Sequence, residues 1–316
     1  MNFRAVRPTV ALLLFAGLLP AADPQLVSLL MPDAKVVAGI NVEQARNSPL
    51  GQFMLAHMQN GDEGFAKLAA TTGFDPRRDL REVLMGTVGQ PGQRGLVLAR
   101  GTFDAARIFA AARLGGHTVE TYNGVDILTG KDDALTHAVT FLDGSIAVAG
   151  DLASVHGAID RHAAANGAID PALGAKIDQL SNSLDAWSVS MVPLAALANQ
   201  KMPDTRLNGM LNTDVVKSIL QTSGGIKLGA IIQISGEAVA NSDKNATALA
   251  DVVRFLGSMV QSNAPAASAA AISALVQSLD VKADGNTVKV ALAIPEQQIE
   301  GLVNTVGQHH GMHGKL

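Results

Sequence analysis

Residues 279–294 decide the fold class: Leu-Asp-Val-Lys-Ala-Asp-Gly-Asn-Thr-Val-Lys-Val-Ala-Leu-Ala-Ile. Asp284 and Gly285 separate two runs in which apolar and polar residues alternate. This pattern is typical of a β-hairpin, because glycine accepts the positive φ that a tight turn requires. Alternate residues from Val288 to Ile294 are predicted to face one side of the sheet. Pro295 then opens a predicted helix, where its missing N–H costs nothing.

The same order of features occurs in the middle of the chain. Two alternating runs in 138–149 enclose Asp143 and Gly144, 141 residues before the later Asp-Gly pair. Asp151 follows as a predicted N-cap of a helix, since its carboxylate can accept a hydrogen bond from the first turn. A hairpin and a closing helix are therefore predicted twice.

The segments before each hairpin also correspond, which predicts an internal duplication. Each half begins with a predicted strand (35–42 and 187–192) and continues with a second strand and a helix (95–100 with 103–114, and 226–235 with 246–260). We expect two copies of one α+β unit. Each is a mainly antiparallel sheet with helices packed on one face. Whether the two units share one sheet is left open.

The predicted organisation has five parts. They are a signal peptide (1–22), a first repeat (25–165), a connector with a short helix (166–183), a second repeat (184–308) and a histidine-containing tail (309–316).

The first part resembles an export signal. Arg4 and Arg7 precede an apolar run over 10–19, and small residues follow before the first acid, Asp23. This is the order of a secretory signal peptide, with cleavage expected near Ala21 or Ala22. No later apolar run reaches the length of a membrane span, so we expect a periplasmic or secreted protein without a transmembrane span after cleavage.

Composition limits the function. The chain of 316 residues contains no cysteine, which excludes disulfides, cysteine-ligated zinc, iron–sulfur clusters and thiol nucleophiles. Lys and Arg total 24 against 28 Asp and Glu, a net charge of −4, which argues against nucleic-acid binding. Aromatic residues are only 3%, so the core must be largely aliphatic.

No motif assigns a catalytic, cofactor-binding or metal-binding residue. Nucleophile-elbow, Walker and His-Glu-x-x-His patterns are all missing from the sequence. One alternative is a hydrolase whose site is assembled by folding, with Asp126, Asp132 and Asp133 as candidate carboxylates. It would need two of these groups to converge in a cleft.

A second alternative concerns the C-terminal tail. His309, His310 and His313 lie beside Met312, and imidazole and thioether groups can bind Cu, Ni or Zn weakly. The same residues fit a polar tail without a ligand, so both interpretations stay open. We assign no metal ligand.

The densest charge run, residues 75–83, has two interpretations as well. Arg77, Arg78 and Arg81 could bind an anion. Alternatively, Asp75 caps a short solvated helix that begins at Pro76, and local acids neutralise the arginines. The second interpretation is favoured.

Four segments carry a family resemblance: 30–42, 48–51, 72–80 and 122–125. They resemble a largely uncharacterised family of exported, duplicated α+β proteins from soil bacteria such as acidobacteria. The resemblance implies a Gram-negative envelope setting and brings no catalytic residues.

The sequence thus favours an exported, non-catalytic protein. We expect it to bind a protein or small-molecule partner, or to act structurally in the cell envelope. The mean hydropathy of +0.21 fits either an apolar surface for a protein or lipid partner, or simply an alanine-rich interior.

Overall fold

The computed structural model describes residues 22–58, 63–89, 94–132, 135–197, 213–264 and 269–301. Within these ranges the strands form one continuous sheet in which every neighbouring pair is antiparallel. The strands are β1 (Val36–Asn41), β2 (Leu80–Thr87), β3 (Gly95–Gly101), β4 (Thr118–Tyr122), β5 (Val125–Asp132), β6 (Leu135–Leu142), β7 (Ile146–Asp151), β8 (Ala186–Ser190), β9 (Ile219–Lys227), β10 (Ile231–Ala240), β11 (Asp280–Asp284) and β12 (Thr287–Pro295).

Helices connect and cover these strands. They are α1 (Pro24–Leu29), α2 (Val42–Asn47), α3 (Pro49–Met58), α4 (Glu63–Thr72), α5 (Pro76–Asp79), α6 (Ala105–Leu114), α7 (Leu152–Ala164), α8 (Pro171–Ser181), α9 (Leu194–Leu197), α10 (Asp214–Lys217), α11 (Asp243–Ser262) and α12 (Ala269–Gln277).

The order of the strands mirrors itself about the β1–β8 pair. From β1 the sheet continues through β2, β3, β7 and β6, and from β8 it continues through β9, β10, β12 and β11. The hairpin β4–β5 extends the sheet beyond β6. The question left open by the sequence is thereby answered, since both predicted units contribute to one sheet. The duplication itself stays a prediction.

The centre of the sheet is held by a buried acid and a close packing contact. Asp185, only 2% exposed, accepts hydrogen bonds from the Lys227 ammonium at 2.7 Å and the Leu228 N–H at 2.6 Å. Its carbonyl accepts from the Asn41 N–H at 2.8 Å. Asp185 therefore ties β1 and β9 to the start of β8.

Gly39 faces Trp187 directly across the β1–β8 pair. A Cβ at this glycine would lie 2.5 Å from the indole, so the close approach of β1 to the single tryptophan requires glycine.

The larger core lies on the side of the sheet that we call face 1. Helices α1, α7 and α8 pack there against alternate residues of the first-half strands and β8. The buried strand residues of this core include Val37, Leu84, Leu96, Leu98, Ile127, Ala138, Leu142, Ile146, Val148, Trp187 and Val189.

A smaller core lies on the opposite side, face 2, in the second half. Helix α11 buries Ala246, Leu249 and Ala250 against the inner residues of β11 and β12. Val281 and Val288 belong to this cluster, and their side chains lie on the same side as Val290 because Val281 pairs with it. Helix α8, which lies in the predicted connector, contributes to the larger core instead.

The structure confirms the α+β class and the antiparallel sheet. Both Asp-Gly hairpins form, and Asp143 and Gly144 take positive φ values of 50° and 72°. Asp151 caps α7 by accepting a hydrogen bond from the Ser154 N–H at 2.9 Å.

Three details differ from the expectation. The predicted strand over 226–235 is two strands, β9 and β10, joined by a turn at 228–230. Pro295 ends β12, and the helical residues begin at 296. Helices pack on both faces of the sheet, and strands such as β3 carry apolar residues on both sides.

Candidate functional site

An apolar cavity of about 240 Å³ lies on face 2 of the first half. Helices α4 and α6 form its roof, and β3, β6 and β7 form its floor. Its lining residues are Leu68, Thr72, Phe74, Leu80, Val97, Ala99, Phe103, Ile108, Val139, Phe141, Ala147 and Ala149.

Small side chains on the floor leave this space open. Ala99 pairs with Ala147, and Val97 pairs with Ala149, so three alanines occupy adjacent positions on β3 and β7. The strands need alternating apolar residues to face the roof, but alanine extends only one methyl group from the sheet. The gap between the sheet and the two helices is therefore not filled.

Phenylalanines enclose one side of the cavity. The ring centroids of Phe74 and Phe103 lie 5.4 Å apart, and those of Phe103 and Phe141 lie 5.3 Å apart. Phe109 meets Phe141 edge-on at 5.7 Å. Four of only nine phenylalanines thus form one cluster at the cavity, which gives it a rigid aromatic wall.

Among the described lining residues, Thr72 supplies the one polar side chain. Its hydroxyl donates to the Leu68 carbonyl at 2.7 Å and accepts from the Phe74 N–H at 3.2 Å. Both interactions are local to the end of α4. The described lining therefore presents no charge to a bound molecule, and its one hydroxyl is already engaged within the chain.

The cavity opens onto the centre of face 2. Ala149, Val97, Met85 and Ala38 are successive cross-strand partners on β7, β3, β2 and β1. Val97 is 41% exposed and Met85 is 47% exposed. The row continues onto β8 at Ser188, so an apolar strip leads from the cavity to the middle of the sheet.

Beyond this strip, β8 and β9 form a shallow depression on the same face. It is lined by side chains of Ser188, Thr222, Ile226 and Ile234 and by the backbone around Gly224. We call the strip and this depression together the trough.

A separate polar groove of about 260 Å³ lies between α8 and the second-half strands. Four of its five charged side chains form two ion pairs, and the fifth, Lys289, lies 4.0 Å from Asp284. Lys176 pairs with Glu237 at 2.9 Å, and Lys282 pairs with Asp280 at 2.6 Å. This pairing leaves little net field for a charged ligand.

The structure describes the candidate carboxylates of the hydrolase alternative to different extents. Asp126 accepts hydrogen bonds from the exposed Arg113 at 3.2 Å and from Thr121 at 3.0 Å. Asp132 is the last residue of β5, and Asp133 lies outside the described residues. Of these three carboxylates only that of Asp126 is described, so the hydrolase alternative stays a prediction.

The metal alternative concerns residues that the structure does not describe, since His309, His310 and His313 lie beyond residue 301. Among the described ranges, no group of three His, Asp or Glu side chains is arranged to hold a metal ion. Within the same part of the chain, no helix is long and apolar enough to cross a membrane.

The charge run at 75–83 follows the favoured interpretation at its start. Asp75 caps α5 and pairs with Arg77 at 2.9 Å, while Asp79 pairs with Arg78 at 2.7 Å. The Arg77 hydrogen bond lowers the pKa of Asp75, and the Arg78 hydrogen bond lowers that of Asp79. The helix stops at Asp79, and the chain continues directly as β2.

Comparisons with known proteins identify a fold and no family. No family model matches the chain, and no curated protein matches it. Two crystal forms of the treponemal protein TP0453 are similar in structure. Form III has a TM-score of 0.53 at 9% identity, with 88% of this chain and 97% of that chain covered. Form IV has a TM-score of 0.50 at 8% identity, with 88% and 95% covered. At such identities the similarity is one of fold alone.

None of the residues lining the cavity was predicted as a functional residue. A signal was present in the alternation Val97, Ala99 and Ala147, Ala149, which places small residues on one face of two strands. The sequence did not show that those strands are neighbours, or that two helices cross above them.

Proposed function

We propose that the protein is exported to the cell envelope and acts there as a non-catalytic binding protein for a small apolar ligand. The ligand occupies the cavity between α4, α6 and the sheet. The chemistry of the lining is the observation that carries this proposal, because the described side chains around the cavity are aliphatic or aromatic except for Thr72.

The lining selects a class of ligand. A polar molecule entering the cavity would lose its hydrogen bonds to water and find no replacement, at a cost of about 1–3 kcal/mol per group. A hydrocarbon gains free energy from the same transfer, roughly 25 cal/mol for each Å² of apolar surface removed from water. Chain-like or ring-like hydrocarbon groups are therefore the favoured occupants.

The trough supports binding rather than catalysis. It exposes Val97 and Met85 on the same face as the cavity mouth. A molecule longer than the cavity could continue along this strip without leaving an apolar surface. Exposed apolar side chains that join a cavity in this way are typical of ligand or partner sites.

Export rests on the sequence of the first 22 residues. A positively charged start, a short apolar run and small residues before Asp23 support secretion through a cleaved signal peptide. A chain without cysteine also suits an oxidising compartment, because it has no thiol to mispair.

Titration with the uncharged fluorophore N-phenyl-1-naphthylamine tests the binding step. We expect saturable binding at one site per chain, with a blue-shifted emission. The double variant Ala147→Leu, Ala149→Leu fills the floor of the cavity and should weaken binding at least about tenfold.

Ala293→Leu provides a matched control, because it adds the same side chain to an exposed position on face 1 of β12. It should bind the fluorophore as the native chain does. Equal affinity in the native and cavity-filled chains, or no saturable binding in either, would contradict the proposal.

A further inference from the structure

The backbone nitrogen of Asp23 lies against a carboxylate from a distant strand. Glu82 of β2 places Oε1 at 3.1 Å and Oε2 at 3.2 Å from this nitrogen. The single N–H proton is shared between the two oxygens as a three-centre hydrogen bond. An α-ammonium at the same nitrogen would offer three protons and a positive charge to these two oxygens.

The surrounding contacts fix Asp23 in this position. Its carboxylate accepts from the Gln25 N–H at 2.8 Å at the start of α1 and from Arg100 Nε at 2.7 Å. The remaining nitrogens of Arg100 bond Ser145 Oγ at 2.7 Å and Gln25 Oε1 at 2.8 Å. Arg100 is thus committed to Asp23 and its neighbours, although it is the cross-strand partner of Glu82.

This contact lies at the predicted cleavage point of the signal peptide. Asp23 is the first acid after the predicted signal peptide, and the preceding bond joins it to one of the two alanines expected at the cleavage point. Hydrolysis of that bond consumes one water. It leaves a carboxylate on Ala22 and an α-ammonium on Asp23, at the nitrogen that Glu82 already faces.

We propose that the Ala22–Asp23 bond is the processing site of the protein and that the new α-ammonium of Asp23 forms a partly buried ion pair with Glu82. Processing removes Ala22, a buried residue of the face 1 core, and leaves the new N-terminus at Asp23 against the sheet. In the unprocessed chain Glu82 faces an amide, and in the processed chain it faces a positive charge. The inference shares its export premise with the proposed function but is independent of the apolar cavity.

The pKa of Glu82 should distinguish the unprocessed chain from the processed chain. In the unprocessed chain the pKa of Glu82 is raised from 4.5 to about 7, because burial and the nearby Asp23 carboxylate raise it more than the Asp23 N–H and Arg100 lower it. A group with a raised pKa stabilises the fold below pH 4.5 and loses that contribution as the pH rises toward 7. An ammonium at Asp23 should lower the pKa instead, so that stability rises over the same range.

The experiment compares two purified chains released from cleavable fusions, one beginning at Ala21 and one beginning at Asp23. Each is prepared with Glu82 and with Glu82→Gln, and unfolding by urea is measured from pH 4.5 to 7.5. In the Asp23 chain, Glu82→Gln should reduce the equilibrium constant for folding at pH 7 at least about tenfold. In the Ala21 chain the same substitution should leave it unchanged or increase it.

Glu43→Gln serves as the control, since Glu43 is an exposed acid in the first turn of α2. Its effect should be the same in both chains. An equal effect of Glu82→Gln in the two chains would overturn the ion pair, even if the protein is exported.

The processing site is tested in an exporting Gram-negative host. Mass spectrometry of the periplasmic chain should give an N-terminus at Asp23. A chain beginning at Ala22, at another residue, or at Met1 would overturn the assignment, whatever the cavity binds.

Discussion

The two halves of the sheet share a strand order but build unequal cores on opposite faces. Within the described residues, the core on face 1 contains 23 buried apolar residues and the core on face 2 contains seven, three of which are alanines. Because burial free energy scales with apolar area, most of the stabilisation belongs to face 1. The larger core also includes Trp187 and Val189 of β8, so the centre of the sheet is stabilised with the first half.

The two halves share a strand order, but this shared topology does not give them equal stability. The second half relies on α11 and on its continuity with β8. Local opening should therefore begin in the second half, because elements with few buried contacts open at lower free energy than the rest.

The largest effect is expected from truncation in the core of face 1. Leu98 is fully buried on β3 between its partners Leu84 and Val148. Leu98→Ala should lower the free energy of unfolding by about 4 kcal/mol, through lost burial and a residual cavity. Urea unfolding followed by Trp187 fluorescence measures it. Val97→Ala, on the same strand but 41% exposed, should cost less than half as much.

The next effect comes from the centre of the sheet. Asp185→Ala removes the acceptor for Lys227 and for the Leu228 N–H and should cost about 3 kcal/mol, because buried partners are left unpaired. Asp280→Ala breaks an exposed pair with Lys282 and should change stability by less than about 1 kcal/mol. Equal losses in the two variants would show that Asp185 does not hold the halves together.

A smaller effect is expected in the second core. Leu249 is 7% exposed on α11, in a cluster rich in alanine. Leu249→Ala should cost about 2 kcal/mol, at the low end for such truncations. Hydrogen exchange should show faster opening of β11 and β12 but unchanged protection of β3. Phe255→Ala on the same helix, at an exposed position, is the control.

The smallest effect concerns the hairpin β4–β5, which extends the first half alone. Asp160 of α7 accepts from the Tyr122 hydroxyl at 3.0 Å and from the Asn123 amide at 2.9 Å. Tyr122 also stacks on His156 at 3.8 Å. Asp160→Ala should speed exchange of the β4 amides without moving the urea midpoint. A shifted midpoint would mean that the hairpin belongs to the main cooperative unit.

Local features of the fold could be predicted from the sequence because their causes are local. Asp143 and Gly144 specify a turn by their own backbone preferences, and Asp151 caps a helix within three residues. The turn at 228–230 was missed, since Gly229 lies in a run of aliphatic residues that also fits one long strand.

Long-range features could not be predicted in this way. The pairing of Gly39 with Trp187 joins residues far apart in the chain, and neither residue signals its partner. The cavity likewise depends on three alanines becoming neighbours beneath two helices. The contact between Glu82 and Asp23 links a strand to the first residue after the predicted signal peptide, which no spacing in the sequence indicates.

The open ends of the sheet have a consequence for self-association of the protein. Strand β11 leaves one edge unpaired among the described strands, and it carries Asp280, Lys282 and Asp284 on a single exposed side. If the edge strand of a second molecule paired with β11 in register, charged side chains would lie beside the same charged side chains of that molecule or would be desolvated. The charged residues on this edge strand therefore disfavour edge-to-edge association into fibrils. A twelve-stranded sheet with exposed hydrophobic edge strands would favour such association.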